Sequence, residues 1–189
     1  MSIIVEKTKI PDIKIITPQV FGDDRGFFME SWNAKEFDEK VCSGIKFVQD
    51  NHSRSKRGVV RGLHYQTQPH AQAKLVRCLY GAIFDVAVDI RKTSSTFGEW
   101  VGIELTSENK KQLWIPEGFA HGFIVLSEYA EVFYKTNEFW HKECEANILW
   151  NDSSLNIEWP EIATPIVSAK DSNAPNFNNY KPFEAIEED

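Results

Sequence analysis

The chain has 189 residues with 42% hydrophobic and 26% charged residues, which are ordinary values for one globular domain with a single core. We therefore predict one domain, residues 1–189. The net charge of −7 argues against binding to nucleic acid or to an anionic membrane through the overall field.

The cysteines and the hydropathy pattern predict a cytoplasmic protein. Cys42, Cys78 and Cys144 are few, odd in number and without a C-x-x-C pair, so we expect reduced thiols. The first residues lack the pattern of a signal peptide, and no apolar run has the length of a membrane span.

Short strands separated by turns are predicted along the first part of the chain. Residues 3–16 predict one or two strands interrupted at Pro11, and residues 21–26 form a turn cluster before a strand over 27–32. Residues 33–41 predict a helix with Asn33 as N-cap. Residues 45–51 alternate as a strand with Gln49 and Asn51 on one face.

The remaining strands follow at short intervals, and residues 67–73 form a loop between two of them. The predicted strands are 58–66, 74–80, 82–90, 98–105, 112–115, 121–126 and 130–136. The tail from about residue 151 is rich in Pro, Asn and acidic residues, so we expect an irregular segment with one helical turn. This pattern predicts an all-β fold, a sandwich or barrel with a few short helices.

One stretch, Gly58–Gln66, carries the strongest chemical signal. It contains Arg61 and His64, and Lys74 follows ten residues after His64 on the next predicted strand. A base beside a fixed cation suits proton abstraction next to a carbonyl, because the cation stabilises the enolate oxygen. A lone His in a strand is more often structural, and these residues alone leave that alternative open.

Residues 116–121 read P-x-G-x-x-H, a pattern that the cupin superfamily of jelly-roll barrels uses to place a metal-binding His, here His121. The companion motif, G-x5-H-x-H followed by a Glu, here places Gln66 where the second His is expected and Lys74 where the Glu is expected. Two imidazoles and an ammonium do not form a divalent-metal site. We therefore predict a cupin-like barrel without a metal, in which Lys74 supplies the positive charge.

With these residues in view, the chain resembles the dTDP-4-dehydrorhamnose 3,5-epimerase family. The segments that carry the resemblance are 24–30, 47–53, 58–66, 74–77, 84–91, 116–123, 134–136 and 168–171. The resemblance implies a cofactor-independent enzyme that inverts C3 and C5 of dTDP-4-dehydro-6-deoxy-D-glucose. It also implies the catalytic roles: His64 as the proton acceptor, Asp171 as its orienting carboxylate, Tyr134 as the proton donor and Lys74 as the enolate-stabilising cation.

The same resemblance implies the substrate contacts and a homodimer. The expected substrate-binding residues are Arg25, Glu30, Gln49, Asp50, Asn51, Arg61, His121, Trp140, Glu145 and Lys170. Among these, Arg25 and Glu30 are expected to come from the neighbouring subunit. Trp140 stands where the family pattern has a Tyr that stacks on thymine, and Trp keeps and enlarges the stacking face, so the stacking role is expected to survive.

Whether Arg61 and His64 reach the same site depends on the geometry of the strand. Arg61 and His64 are three positions apart, so a regular strand would point them to opposite faces unless Gly62 allows a bulge. His52, His70 and His141 receive no catalytic role.

Three alternatives remain open from the sequence. A relative that inverts only C3 or only C5 would keep the same catalytic residues. A metal-dependent cupin is disfavoured by Gln66 and Lys74, and a non-catalytic sugar-nucleotide-binding barrel would leave His64, Lys74 and Tyr134 without a role.

Overall fold

Strands account for most of the regular structure in residues 2–184, the part of the chain that the structure, a computed structural model, describes. Met1 and residues 185–189 of the predicted 1–189 domain lie outside the described residues. The strands are β1 (Ile3–Lys7), β2 (Lys14–Pro18), β3 (Val20–Asp23), β4 (Gly26–Met29), β5 (Gln49–Lys56), β6 (Val59–Gln66), β7 (Lys74–Tyr80), β8 (Ala82–Asp89), β9 (Trp100–Thr106), β10 (Gln112–Ile115), β11 (Phe119–Val125), β12 (Tyr129–Thr136), β13 (Glu145–Asn147) and β14 (Ile166–Val167). The helices are α1 (Ala34–Lys40) and α2 (Ala169–Ser172), with a 3₁₀ turn at Phe177–Asn179. Neither α1 nor α2 has the length and apolar character needed to cross a membrane.

Two six-stranded sheets form the frame. The first has the strand order β1-β2-β10-β7-β12-β5, and the second has the order β13-β6-β11-β8-β9 with β14 paired in parallel to β6. The strands β3 and β4 form a separate hairpin. The arrangement is the predicted all-β, jelly-roll-like fold, in the form of an open sandwich whose described sheets do not close into a barrel.

Both faces of each sheet are covered, which explains the nearly continuous apolar runs in the central strands. Between the sheets lies a core that includes Val76, Ala87 and Phe123. Alternate residues point the other way: Leu75 of β7 packs with Phe37 of α1 on the outside of the first sheet. The outside of the second sheet is covered by the C-terminal tail, through residues such as Phe177.

The predicted helix is confirmed, and its start has the expected cause. Asn33 is the N-cap, and its side-chain oxygen accepts hydrogen bonds from the backbone N–H groups of Lys35 at 3.1 Å and Glu36 at 3.3 Å. The buried ring of Phe37 lies 5.1 Å from the ring of Trp114. The helix therefore closes the outer face of the first sheet.

Several predicted boundaries were wrong. Residues 21–26 are not a simple turn, since β3 and β4 form a hairpin that turns only around Asp24 and Arg25. The strand predicted over 45–51 is β5, Gln49–Lys56, because its pairing with β12 begins at Thr136↔Gln49 and runs to Tyr129↔Lys56. The strand β13 was not predicted.

Candidate active site

One end of the sandwich opens into a cavity of about 270 Å³ between the two sheets. Strands from both sheets line it, together with the connection between β12 and β13. Eight of the fourteen residues predicted for the site face this cavity: Asn51, Arg61, His64, Lys74, His121, Tyr134, Trp140 and Glu145.

A bulge in β6 brings Arg61 and His64 to the same cavity. His64 is opposite His121 and Arg61 is opposite Phe123, so three steps along β6 match two steps along β11. Gly62 lies in the bulge at φ +138°, and a Cβ there would stand 2.5 Å from the Cα of Gly122. Only glycine fits this close approach of two backbones, and the expected bulge is confirmed.

His64 forms a short hydrogen bond with a carboxylate that is distant in sequence. Its Nε2 lies 2.6 Å from Oδ1 of Asp171, whose side chain is only 4% exposed. Burial alone would raise the pKa of Asp171, but the hydrogen bond from His64 and the backbone N–H of Gly62 hold that pKa below its ordinary value. An ionised Asp171 accepts the Nε2–H, which leaves Nδ1 of His64 as the nitrogen that is free to take a proton.

The tail places Asp171 through local structure. Strand β14 pairs with the beginning of β6, and Ser168 then caps α2 by accepting a hydrogen bond from the N–H of Asp171 at 3.1 Å. Asp171 therefore stands against the bulge of β6.

Lys74 is a buried cation beside the dyad. The residue is 7% exposed, and its Nζ donates to the backbone carbonyl of His64 at 3.2 Å. Burial lowers the pKa of Lys74 to about 8, against the opposing effect of the nearby carboxylates Asp85 and Glu145. Its ammonium is therefore the charged form at neutral pH and titrates not far above it.

Tyr134 reaches the same cavity from the facing sheet. Its phenol is largely buried, and this burial raises the pKa, with Arg61 lowering it and Glu145 raising it further. A phenol with a raised pKa stays protonated at neutral pH, which suits a proton donor.

A second imidazole–carboxylate pair lies deeper, and sequence reasoning missed its acid. Nε2 of His121 lies 2.8 Å from Oδ1 of Asp85, and both residues are buried. Burial lowers the pKa of His121, although Asp85 opposes this effect, so the imidazole is neutral at neutral pH. The available signal was an acidic residue in the middle of the otherwise apolar strand β8.

The residues at the cupin ligand positions do not fit a divalent metal. His64 and His121 each bind a carboxylate, and the ammonium of Lys74 reaches the same cavity from the facing sheet. The side-chain amide of Gln66 bonds to backbone groups rather than facing an ion. A cation would meet electrostatic repulsion here.

A second group of potential ligands lies outside the cavity. The ligand atoms of His70, His141 and Glu143 lie within 4.8 Å of one another. The two imidazole rings are stacked, with centroids 3.5 Å apart and planes 5° from parallel. Their nitrogen lone pairs therefore lie in parallel planes and do not converge on one ion.

At the rim of the cavity, Trp140, Glu145 and Lys170 form a chain of contacts. The Trp140 side chain lies beside the carboxylate of Glu145, and Lys170 Nζ lies 2.7 Å from Oε2 of Glu145. Burial would raise the pKa of Glu145, but Lys170 and Trp140 hold it below its ordinary value. Gln49 lies at the same rim, where its side chain accepts from the backbone N–H of Trp140 at 3.1 Å.

Six predicted residues do not line the cavity of their own chain. Gln49, Lys170 and Asp171 contact residues that line it, and the other three lie away from it. Asp50 points to the other face of β5, where it pairs with Lys135 at 2.9 Å. Arg25 pairs with Asp23 on the β3–β4 hairpin, and its side chain is 90% exposed. Glu30 follows the same hairpin and accepts a hydrogen bond from the side chain of Asn33 at 3.2 Å.

The comparisons with known proteins agree with one another. A model of the dTDP-4-dehydrorhamnose 3,5-epimerase family matches residues 7–179. The dTDP-4-dehydrorhamnose 3,5-epimerase of Shigella flexneri is 63% identical over 173 residues, which cover 92% of this chain and 95% of the relative. The crystal structure of an epimerase from Legionella pneumophila in complex with dTDP-4-keto-L-rhamnose is 48% identical, covers 97% of this chain and 100% of that one, and has a TM-score of 0.93.

A more distant solved structure is named for a different epimerase activity. A 3'-monoepimerase from Streptomyces bikiniensis in complex with dTDP-quinovose is 30% identical, with a TM-score of 0.86 and coverage of 92% of this chain and 87% of that one. The resemblance seen in the sequence is confirmed by the family match and by the two closer relatives. This chain belongs to the dTDP-4-dehydrorhamnose 3,5-epimerase family.

Proposed function

We propose that this protein is an isomerase that inverts C3 and C5 of dTDP-4-dehydro-6-deoxy-D-glucose and so forms dTDP-4-dehydro-L-rhamnose. The observation that carries the proposal is the convergence on one cavity of His64, hydrogen-bonded to Asp171, with Lys74 and Tyr134. The Shigella flexneri relative bears the name of this activity.

The chemistry follows from the C4 ketone. It makes the C–H bonds at C3 and C5 acidic, because the electron pair left by proton removal is delocalised onto the ketone oxygen. Nδ1 of His64 takes the proton, and the ammonium of Lys74 stabilises the negative charge on oxygen. Tyr134 then returns a proton to the same carbon from the opposite face, which inverts the centre.

Substrate binding is proposed to use the rim of the cavity. Arg61 and Lys170 are suited to the pyrophosphate, since guanidinium and ammonium groups form charge-assisted hydrogen bonds with phosphate oxygens. Trp140, a residue that is 54% exposed, offers a surface for the base. The proposed direct contacts also include Gln49, Asn51, His121 and Glu145, whereas Asp50 lies on the other face of β5 and pairs with Lys135.

The proposal includes a homodimer in which Arg25 and Glu30 serve the partner's cavity. Support comes from the β3–β4 hairpin, which pairs with no other strand in residues 2–184 and exposes Phe27 by 58% and Phe28 by 60%. We also propose that the enzyme works in the cytoplasm, which suits three cysteines that are free thiols.

The experiment is proton NMR in D₂O with dTDP-4-dehydro-6-deoxy-D-glucose. We expect deuterium at both C3 and C5 and formation of dTDP-4-dehydro-L-rhamnose. His64→Ala should abolish exchange at both carbons, since such a base supplies about 10²–10⁴-fold in rate. Tyr134→Phe should slow product formation more than exchange, because proton removal does not need the phenol.

The outcomes separate the alternatives. Exchange at one carbon alone would support a monoepimerase, as in the relative from Streptomyces bikiniensis. Tight binding of the sugar nucleotide without exchange would support a non-catalytic binding protein. Full exchange in His64→Ala would require another base.

A further inference from the structure

The connection that follows β12 crosses the mouth of the cavity and carries Trp140. We call residues 137–141 the rim segment. Its backbone is held at four consecutive residues by three glutamine side chains. Gln72 Nε2 donates to the carbonyl of Glu138 at 2.8 Å, and the other two glutamines hold the next three residues. Gln66 Nε2 donates to the carbonyl of Phe139 at 3.1 Å, Gln49 Oε1 accepts from the N–H of Trp140 at 3.1 Å, and Gln66 Oε1 accepts from the N–H of His141 at 2.7 Å.

Gln66 is the central member of this arrangement. Its side chain is 3% exposed, and its second N–H donates to the carbonyl of His70 at 2.6 Å. The amide therefore joins the loop after β6 to the rim segment and leaves neither N–H without a partner. Because a buried amide without partners is costly, these bonds favour one position of the rim segment.

The side chain of Trp140 has little other support. The residue is 54% exposed, and its indole lies beside the carboxylate of Glu145. Strand β13 brings Glu145 opposite Gln66 in the sheet. The contacts of the backbone around Trp140 and of its indole therefore both lie at the same position of β6. A stacking surface that is already ordered binds its ligand with a smaller entropic loss.

We propose that Gln66 is a positioning residue that fixes the rim segment, so that the indole of Trp140 is presented at the cavity mouth to the base of a nucleoside diphosphate. In this fold the position of a metal-binding imidazole is thus used by an amide that orders the binding surface. The inference rests on the proposed function for the identity of the ligand, whereas the holding of the rim segment does not depend on it.

The test replaces Gln66 by Met, which keeps the length of the side chain and removes its hydrogen bonds. The matched control is Asn109→Leu. The side chain of Asn109 likewise binds three backbone groups, the N–H groups of Thr106 and Lys111 and the carbonyl of Glu104, in a turn away from the cavity. Asn109→Leu should lower the unfolding midpoint and leave ligand affinity unchanged.

Gln66→Met should weaken binding of dTDP, measured by calorimetry, by about tenfold and raise KM similarly, while kcat changes by less than about twofold. In the Trp140→Ala background the same replacement should cause no further loss of affinity. Wild-type affinity in Gln66→Met, or equal losses with and without Trp140, would overturn the proposal. Gln66→Glu gives a second reading, since it keeps an acceptor for His141 and loses both donors.

Amide hydrogen exchange provides a readout that needs no ligand. The N–H groups of Trp140 and His141 should exchange faster in Gln66→Met than in the wild type and in Asn109→Leu. If the wild type did not bind dTDP but these amides lost protection in Gln66→Met, the proposed function would fail. The proposal that Gln66 holds the rim segment would still be supported. Unchanged protection in Gln66→Met would refute the proposal that Gln66 holds the rim segment.

Discussion

At the scale of single residues, the site separates its charges by burial. Asp171 and Asp85 are buried acids, each bonded to an imidazole, and Lys74 is a buried cation that lies near Asp85 and Glu145. Uncompensated burial of any one of these charges would be costly, so the group is stable as a set. The set gives the cavity an imidazole base beside a positive charge, which is what enolate formation requires.

The pH dependence of catalysis should report Lys74. Because burial lowers its pKa to about 8, the ammonium is charged below that pH and is lost as the pH rises through it. We expect kcat/KM to fall above about pH 8, by roughly tenfold per unit. Stopped assays by NMR across a pH series would give the profile.

Lys74→Arg is the control for this assignment. A guanidinium keeps its charge beyond pH 12, so the variant should have lower activity and no alkaline decline in this range. A decline near pH 8 that persists in Lys74→Arg would assign it to another group. The raised pKa of Tyr134 places its own titration above the ordinary range of a phenol.

At the scale of elements, the bulge in β6 decides which side chains meet. The regular alternation of a strand would separate Arg61 from His64, and the extra residue at Gly62 restores them to one cavity. The close approach of Gly62 to Gly122 is the feature that a larger residue would disrupt.

Gly62→Ala should therefore destabilise the fold and inactivate the enzyme together. The new Cβ would stand 2.5 Å from the Cα of Gly122, and φ is +138°. We expect the free energy of unfolding to fall by about 2–6 kcal/mol from strain and overpacking combined. Urea unfolding followed by circular dichroism measures it, with the D₂O exchange assay alongside.

A matched glycine separates strain from collision. Gly26 has φ +130°, and nothing lies within 4 Å of a Cβ built on it. Gly26→Ala should lose only the strain contribution, about 1–3 kcal/mol. Equal losses of unfolding free energy in Gly62→Ala and Gly26→Ala would show that the collision with Gly122 adds nothing to the cost of a side chain at Gly62.

At the scale of the whole molecule, the strands and the helix could be predicted from the sequence better than the assembly of the site. The period-two strands and the capped helix were readable because local chemistry determines them. The hydrogen bond of Asp171 to His64 was expected only through family resemblance, since 107 positions separate the two residues. The inward direction of Asp85 and the two roles of the Gln66 amide depend on packing between strands, which no local pattern encodes.

The largest predicted assembly is the homodimer, and it has a test by complementation. A His64→Ala subunit and an Arg25→Ala subunit, co-expressed with different tags and purified through both, form a mixed dimer. If Arg25 serves the partner's cavity, one of the two sites contains neither defect. Turnover should then be about half that of the wild-type dimer, although each variant alone is impaired.

The control pairs two defects of the same cavity. A mixed dimer of His64→Ala and Lys74→Met leaves one defect in each site, since both residues line the cavity of their own chain. It should show no recovery. Recovery with Arg25→Ala and none with Lys74→Met requires that the hairpin of one subunit completes the site of the other. The same low activity in both mixed dimers, with dimers confirmed by sedimentation, would place Arg25 outside the partner's site.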